Sequence, residues 1–113
     1  CQDKVILPEA CPDSDPSWFG FLITCKDGVD RNQVVQYVEN KGVQTRMLFA
    51  GNLIKHPCFN EMRKTGEGYR VSGTLENTDR IMADTFWVGV YPGMTDEMID
   101  YMAKTIKEAL TQA

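Results

Sequence analysis

One histidine and no closely paired cysteines leave this chain poorly equipped to hold a metal. Cys1, Cys11, Cys25 and Cys58 fall at spacings that form neither a CxxC motif nor the framework of a small secreted domain. His56 and Cys58 together offer roughly half the ligands that a zinc ion takes, so no metal site is predicted. The cysteines read as reduced thiols, with Cys25 packed as a small hydrophobe among apolar neighbours. Long apolar runs are also missing, since none nears the ~20 residues that span a bilayer. Basic charge is scarce: 12 Lys and Arg against 16 Asp and Glu give a net charge of -4. Nucleic acids are held by clustered cations, so neither nucleic acid nor membrane is a predicted partner. No Gly-rich turn able to cradle a phosphate is evident, and there is no charged leader with an apolar core. A chain that starts at Cys1 reads as a piece of a longer polypeptide.

What is present is ordinary for a globular protein. With 113 residues, 42% of them apolar and 25% charged, the chain has the size of one modest domain. Residues 1–16 carry three prolines and several acidic residues without period, as an irregular lead-in from a preceding domain would. Residues 17–113 carry the pattern of a small α/β domain. Trp18 to Cys25 is aromatic and β-branched enough for a strand, closed by Lys26-Asp27-Gly28. Asp30 followed by Gln33 is a capping-box signature for a helix with an apolar stripe of Val34, Val35 and Val38, ended by Gly42. Val43 to Phe49 form a second strand. Pro57 opens a short helix over Cys58 to Arg63, and Asn77 caps a helix running to about Asp84. Phe86 to Tyr91 make the third strand. Thr95, backed by Asp96 and Glu97, then starts a long helix whose Met98, Ile99, Met102, Ile106 and Leu110 face the core. The order predicts an α/β (α+β) two-layer sandwich, a small three-stranded sheet covered on one face by helices.

Both faces of that sheet are apolar. Alternation puts Phe19, Phe21, Ile23 and Cys25 opposite Trp18, Gly20 and Leu22. In the third strand Phe86, Val88 and Val90 oppose Trp87, Gly89 and Tyr91. A sheet with one open face makes that face polar, so either the segment from Pro8 to Pro16 or another domain is expected to cover it.

The run from Thr45 to Pro57, TRMLFAGNLIKHP, joins a strand to a polar loop, and the run from Asn77 to Gly93 reads NTDRIMADTFWVGVYPG. Together they resemble the small C-terminal domain of the DegT/StrS-type sugar aminotransferases, fold type I transferases that use pyridoxal phosphate. The likeness extends from about Leu7 to Leu110. Pro12 to Phe21, PDSDPSWFGF, is similar to the lead-in of the RfbH-type sugar-nucleotide 3-dehydratases, the nearest subgroup. Cys11 departs from the usual pattern.

The resemblance implies a cytoplasmic enzyme of deoxysugar and lipopolysaccharide biosynthesis, acting on a nucleotide-linked 4-keto-6-deoxyhexose, homodimeric, with its active site built mostly in a large N-terminal domain. Pyridoxal or pyridoxamine phosphate, the lysine or histidine at the Schiff-base position, and the cysteines of any iron–sulfur cluster would all belong to that domain. This chain would supply a wall of the pocket and no catalytic residue. Arg46 would pair with the phosphates of the sugar nucleotide, or stand as a solvated strand-end charge or an interdomain ion pair. Phe49 would press on a ligand ring, or join the core. Gly51 lets backbone approach a ligand, and Asn52 can donate to and accept from sugar hydroxyls, although turn geometry alone also selects such residues. His56 would face the pocket or cap a helix. Arg80 is a further phosphate candidate, or an ion-pair partner of Asp79 or Asp84. An aminotransferase with the same domain, and a non-enzymatic α/β binding module, are the other two readings. The isolated chain is predicted to bind no pyridoxal phosphate; titration of the cofactor should leave its absorbance unshifted.

Overall fold

Asp30 opens the first helix as its side chain predicts, accepting from the N–H groups of Asn32 at 2.8 Å and Gln33 at 3.3 Å. In the computed structural model, which describes residues 1–113, this helix, α1, runs Arg31–Asn40. It packs beside the long C-terminal helix α4, Asp96–Gln112, which Thr95 caps through the Met98 N–H at 3.2 Å. Both lie on one face of an antiparallel sheet of β1 (Val5–Ile6), β2 (Gly20–Cys25), β3 (Thr45–Met47) and β4 (Thr85–Gly89), in the order β1-β2-β4-β3. Ile23, Cys25, Phe86 and Val88 point from the sheet into the core and meet Val34, Val38, Ala109 and Leu110. Each such aliphatic or aromatic side chain contributes about 1.5–3 kcal/mol on burial. The helices cover one face, as predicted, and none is long and apolar enough to cross a membrane.

The sheet has four strands rather than three. Within the segment expected to be irregular, Val5 pairs with Cys25 and Ile6 with Thr24. Lys4 anchors this strand by donating to the carbonyl of Leu110 at 2.6 Å, at the C-terminal end of α4. A two-residue strand flanked by loop residues has no readable period.

Other boundaries moved for physical reasons. β2 starts at Gly20, not Trp18, and the alternation inverts before it. Phe19 lies against Trp87, ring centroids 5.3 Å apart, while Trp18 lies against Phe21 at 6.0 Å. β3 stops at Met47 because Phe49 takes a left-handed conformation at φ 49°. Pro57–Phe59 is a 3₁₀ turn ahead of α2, Asn60–Thr65. α3 spans Glu76–Asp84; it begins one residue before Asn77, after left-handed Leu75 at φ 57°, with no side-chain cap.

The second sheet face stays open. Trp87 lies across Gly20, where any Cβ would collide with the indole. Phe19 and Phe49 are 78% and 79% exposed beside it, so the Pro8–Pro16 segment does not cover this face. No residue from Leu53 to Asp84 is buried. The radius of gyration is 16.7 Å, against roughly 13 Å for a compact domain of this length.

Cys25 is completely buried, and desolvation, aided by the Asp84 charge and opposed by Arg31, pushes its thiol up to about 11. Cys1, Cys11 and Cys58 are exposed. A thiol reagent at neutral pH should therefore label those three quickly and Cys25 only on unfolding, as peptide mapping of the labelled protein would report.

Candidate functional site

A loop and a groove meet at Trp87. The loop follows β3. Gly51 is left-handed at φ 64° and sits so close to α3 that a Cβ there would lie 2.6 Å from Met82 Cγ, which leaves glycine as the only residue that fits. Asn52 is buried, and both ends of its amide are used inside the chain. Oδ1 accepts from the Ile54 N–H at 3.3 Å and caps the 3₁₀ turn Leu53–Lys55, while Nδ2 donates to Asp79 Oδ1 at 2.8 Å. Lys55 Nζ reaches the same carboxylate oxygen at 2.8 Å. The His56 ring caps no helix, although its backbone N–H closes the turn Leu53–Lys55; Nε2 lies 2.5 Å from the Ala50 carbonyl and donates to it. Arg63 donates to the carbonyls of Ile54 and His56. Residues 50–56 are thus tied to α3 on one side and to α2 on the other.

The groove runs between β3, the end of β4 and the start of α4. Its volume is about 680 Å³, and Arg46, Trp87, Tyr91, Met98 and Tyr101 are among its walls. Arg46 is exposed, donates to the Thr45 carbonyl at 3.2 Å, and faces the Gln44 amide, whose oxygen when turned toward it accepts at 2.9 and 3.0 Å. Tyr101 donates to the Lys41 carbonyl at 2.7 Å, closing one end. The base of β3 is pinned by Glu39, which accepts from the Thr45 hydroxyl at 2.8 Å; hydrogen bonds from the Thr45 side chain and backbone hold the Glu39 carboxyl below its ordinary value. Aromatic and thioether walls with an exposed guanidinium that has no ion-pair partner suit an anionic ligand carrying a planar or apolar part.

Of the residues singled out by sequence, Phe49, Gly51, Asn52 and His56 share the loop, and Arg46 stands on the adjoining strand. Arg80 is apart from them, exposed on α3 with no ion pair to Asp79 or Asp84. Asp79, Lys55, Met82 and the groove residues Tyr91 and Tyr101 were not anticipated. Asp79 lies 27 positions from Asn52, a separation at which no sequence periodicity operates.

The residues of this chain do not by themselves fit pyridoxal phosphate. Lys55, the lysine of the loop, is engaged by Asp79. The N-terminal end of α4 beside the groove already carries Asp96 and Glu97, so its helix-end charge is not free for a cofactor phosphate, and the cation of the groove is Arg46 on the opposite strand.

The sequence profile of the DegT/DnrJ/EryC1/StrS aminotransferase family matches residues 2–107. The chain belongs to this family. It is 49% identical over 96% of its length to the lipopolysaccharide biosynthesis protein RfbH of Salmonella typhimurium, covering 24% of that protein. It is 45% identical, again over 96% of its length, to a dTDP-4-dehydro-2,6-dideoxy-D-glucose 3-dehydratase of Saccharopolyspora spinosa, covering 23% of it. The Escherichia coli GDP-4-keto-6-deoxy-D-mannose-3-dehydratase, solved with hydrated PLP, superposes at a TM-score of 0.74 and 24% identity, over 91% of this chain and 25% of that one. The chain spans about a quarter of the length of the curated relatives it matches. For this family member the loop and groove form one face of a domain with most of a relative's length unaccounted for.

Hydrogen bonds from Lys55 and then Asn52 hold the Asp79 carboxyl below its ordinary value of 3.8. A depressed native value stabilises the docked loop above the ordinary value, and that stabilisation is lost as pH falls through the native one. The Asn52 side-chain amide resonances, which report the contact with Asp79, should therefore shift as pH falls below about 4. Asp79→Asn should abolish that transition.

Proposed function

We propose that this chain is the small C-terminal domain of a pyridoxal- or pyridoxamine-phosphate-dependent nucleotide-hexose 3-dehydratase, acting in the cytoplasm on a nucleotide-linked 4-keto-6-deoxyhexose. The observation that carries this reading is the 45–49% identity, over nearly the whole chain, to RfbH and to a 3-dehydratase. The parent protein is a homodimer in this proposal. In this proposal residues 1–16 connect to its large domain, with Val5–Ile6 contributing a strand to the sheet of the small domain formed by residues 17–113.

The cofactor, which the large domain would hold, would supply the electron pair that expels the 3-hydroxyl. This chain's residues bind, orient and exclude water. Arg46, exposed at the groove, offers a bidentate partner to the diphosphate. Phe49, projecting from the loop, covers a ligand ring and displaces water from it. Gly51 keeps the loop close to α3, and Asn52 and His56 set the loop's shape through the partners described above. Arg80 is a second cation facing solvent, available to a phosphate or to the large domain. The apolar face around Trp18, Phe19 and Trp87 is where the large domain seats, since an open apolar patch of this kind marks an interface.

Full-length parent protein, supplied with cofactor and a nucleotide-linked 4-keto-6-deoxyhexose, should release product lacking the 3-hydroxyl, read by mass spectrometry. Glutamate-dependent formation of an amino sugar instead would assign the aminotransferase reaction, and no turnover of either kind would leave a binding module. Arg46→Ala should weaken capture of the nucleotide sugar by about 1.5–3 kcal/mol, the worth of a hydrogen bond to a charged group, seen as a raised KM with kcat nearly unchanged.

A further inference from the structure

Asp79 occupies a position that nothing in the family reading assigns. One oxygen of its carboxylate receives both Asn52 Nδ2 and Lys55 Nζ, each at 2.8 Å. Asn52 passes that constraint into the backbone, because its other amide atom caps the turn at Leu53–Lys55. Met82, one helical turn further along α3, blocks Gly51 from the same side. A single helix therefore sets the loop at two points, one electrostatic and one steric.

Phe49 lies two residues before Gly51 in the same loop, its N–H donating to the Met47 carbonyl at 2.6 Å. It is left-handed at φ 49°, a conformation unfavourable for an aromatic residue, and the residue is 79% exposed. It leans over a hollow of about 170 Å³ shared with Trp18, Phe19, Leu22 and Trp87. Backbone preference and solvent both oppose such a placement, which points to a role for it beyond stability. The same carboxylate engages the loop's lysine, which leaves Arg46 as the cation facing the groove.

We propose that Asp79 is a positioning residue: through Asn52 and Lys55 it holds residues 48–56 in the one shape that presents Phe49 to the ligand and keeps Lys55 away from the anion. The inference rests on the proposed function for its ligand, a nucleotide-linked keto-hexose, and on the geometry alone for the loop.

The test uses the full-length parent with Asp79→Ala and Asp79→Asn, comparing steady-state kinetics with amide hydrogen exchange. Asp79→Ala should raise KM for the nucleotide-linked keto-hexose about 10- to 100-fold, with kcat changed less than about threefold. Faster exchange should be confined to residues 48–56, leaving β2 and β4 as protected as in the wild type. Asp79→Asn keeps an acceptor for Asn52 but releases Lys55, so it should fall between the two. Unchanged KM despite a loosened loop would overturn the proposal, as would loss of protection throughout the sheet, which would mark Asp79 as a folding residue only. A wild-type parent inert toward nucleotide-linked keto-hexoses would sink the proposed function instead. Exchange over 48–56 would still decide the positioning role, and unaltered exchange in Asp79→Ala would end it.

Discussion

Everything in this domain is hung on β4, a strand of five residues with demands on both its faces. Inward, Phe86 and Val88 close the core against α1 and α4; outward, Trp87 lies flat over Gly20 of the neighbouring strand. Antiparallel pairing on both edges, to β2 and to β3, satisfies its backbone. Arg31, the first residue of α1, donates to the carbonyls of Met82 and Thr85 at 3.2 and 2.9 Å, tying the helical layer to the junction of α3 and β4. Because the strand admits no slip without exchanging Phe86 for Trp87, the register of the whole sheet is set by that alternation.

The site follows from the same strand. Trp87 borders the groove on one side and the aromatic hollow on the other, and it donates to the Met47 carbonyl at 3.1 Å, where β3 ends. The loop leaves the sheet at that point and is caught by α3, the helix that leads into β4. Core, groove and loop therefore share one short stretch of chain, from Asp79 to Trp87. A change there propagates to all three, whereas α4 beyond its first turns packs on the core and anchors β1 through the Leu110 carbonyl.

Much of the helical layer was legible beforehand. Asp30 and Thr95 cap as their side chains dictate, and Val34, Val38 and Leu110 are buried as their spacing requires. Legibility failed where the determinant was distant or conformational. Val5–Ile6 became a strand because β2 offered it an edge. Phe19 crossed to the Trp87 side because pleating starts only at Gly20. Asn52 was read as a partner for sugar hydroxyls, with turn geometry as the alternative; it caps the turn, and Asp79 occupies its amide donor.

The amino-acid sequence by itself determined the order of the three longer strands and the main helices, the caps of α1 and α4, and the likeness to sugar-nucleotide enzymes, because capping and motif spacing are local properties of a chain. The apolar stripe of α4 held at Leu110 but not at Met98 and Ile99, which are exposed near the groove. Tertiary structure alone decided which face stayed bare, that Asp79 joins Asn52 and Lys55, and that Phe49 stands exposed in a left-handed turn. Those outcomes depend on residues brought together from opposite ends of a loop and a helix, and hydrogen bonding and steric exclusion act only once that approach has been made.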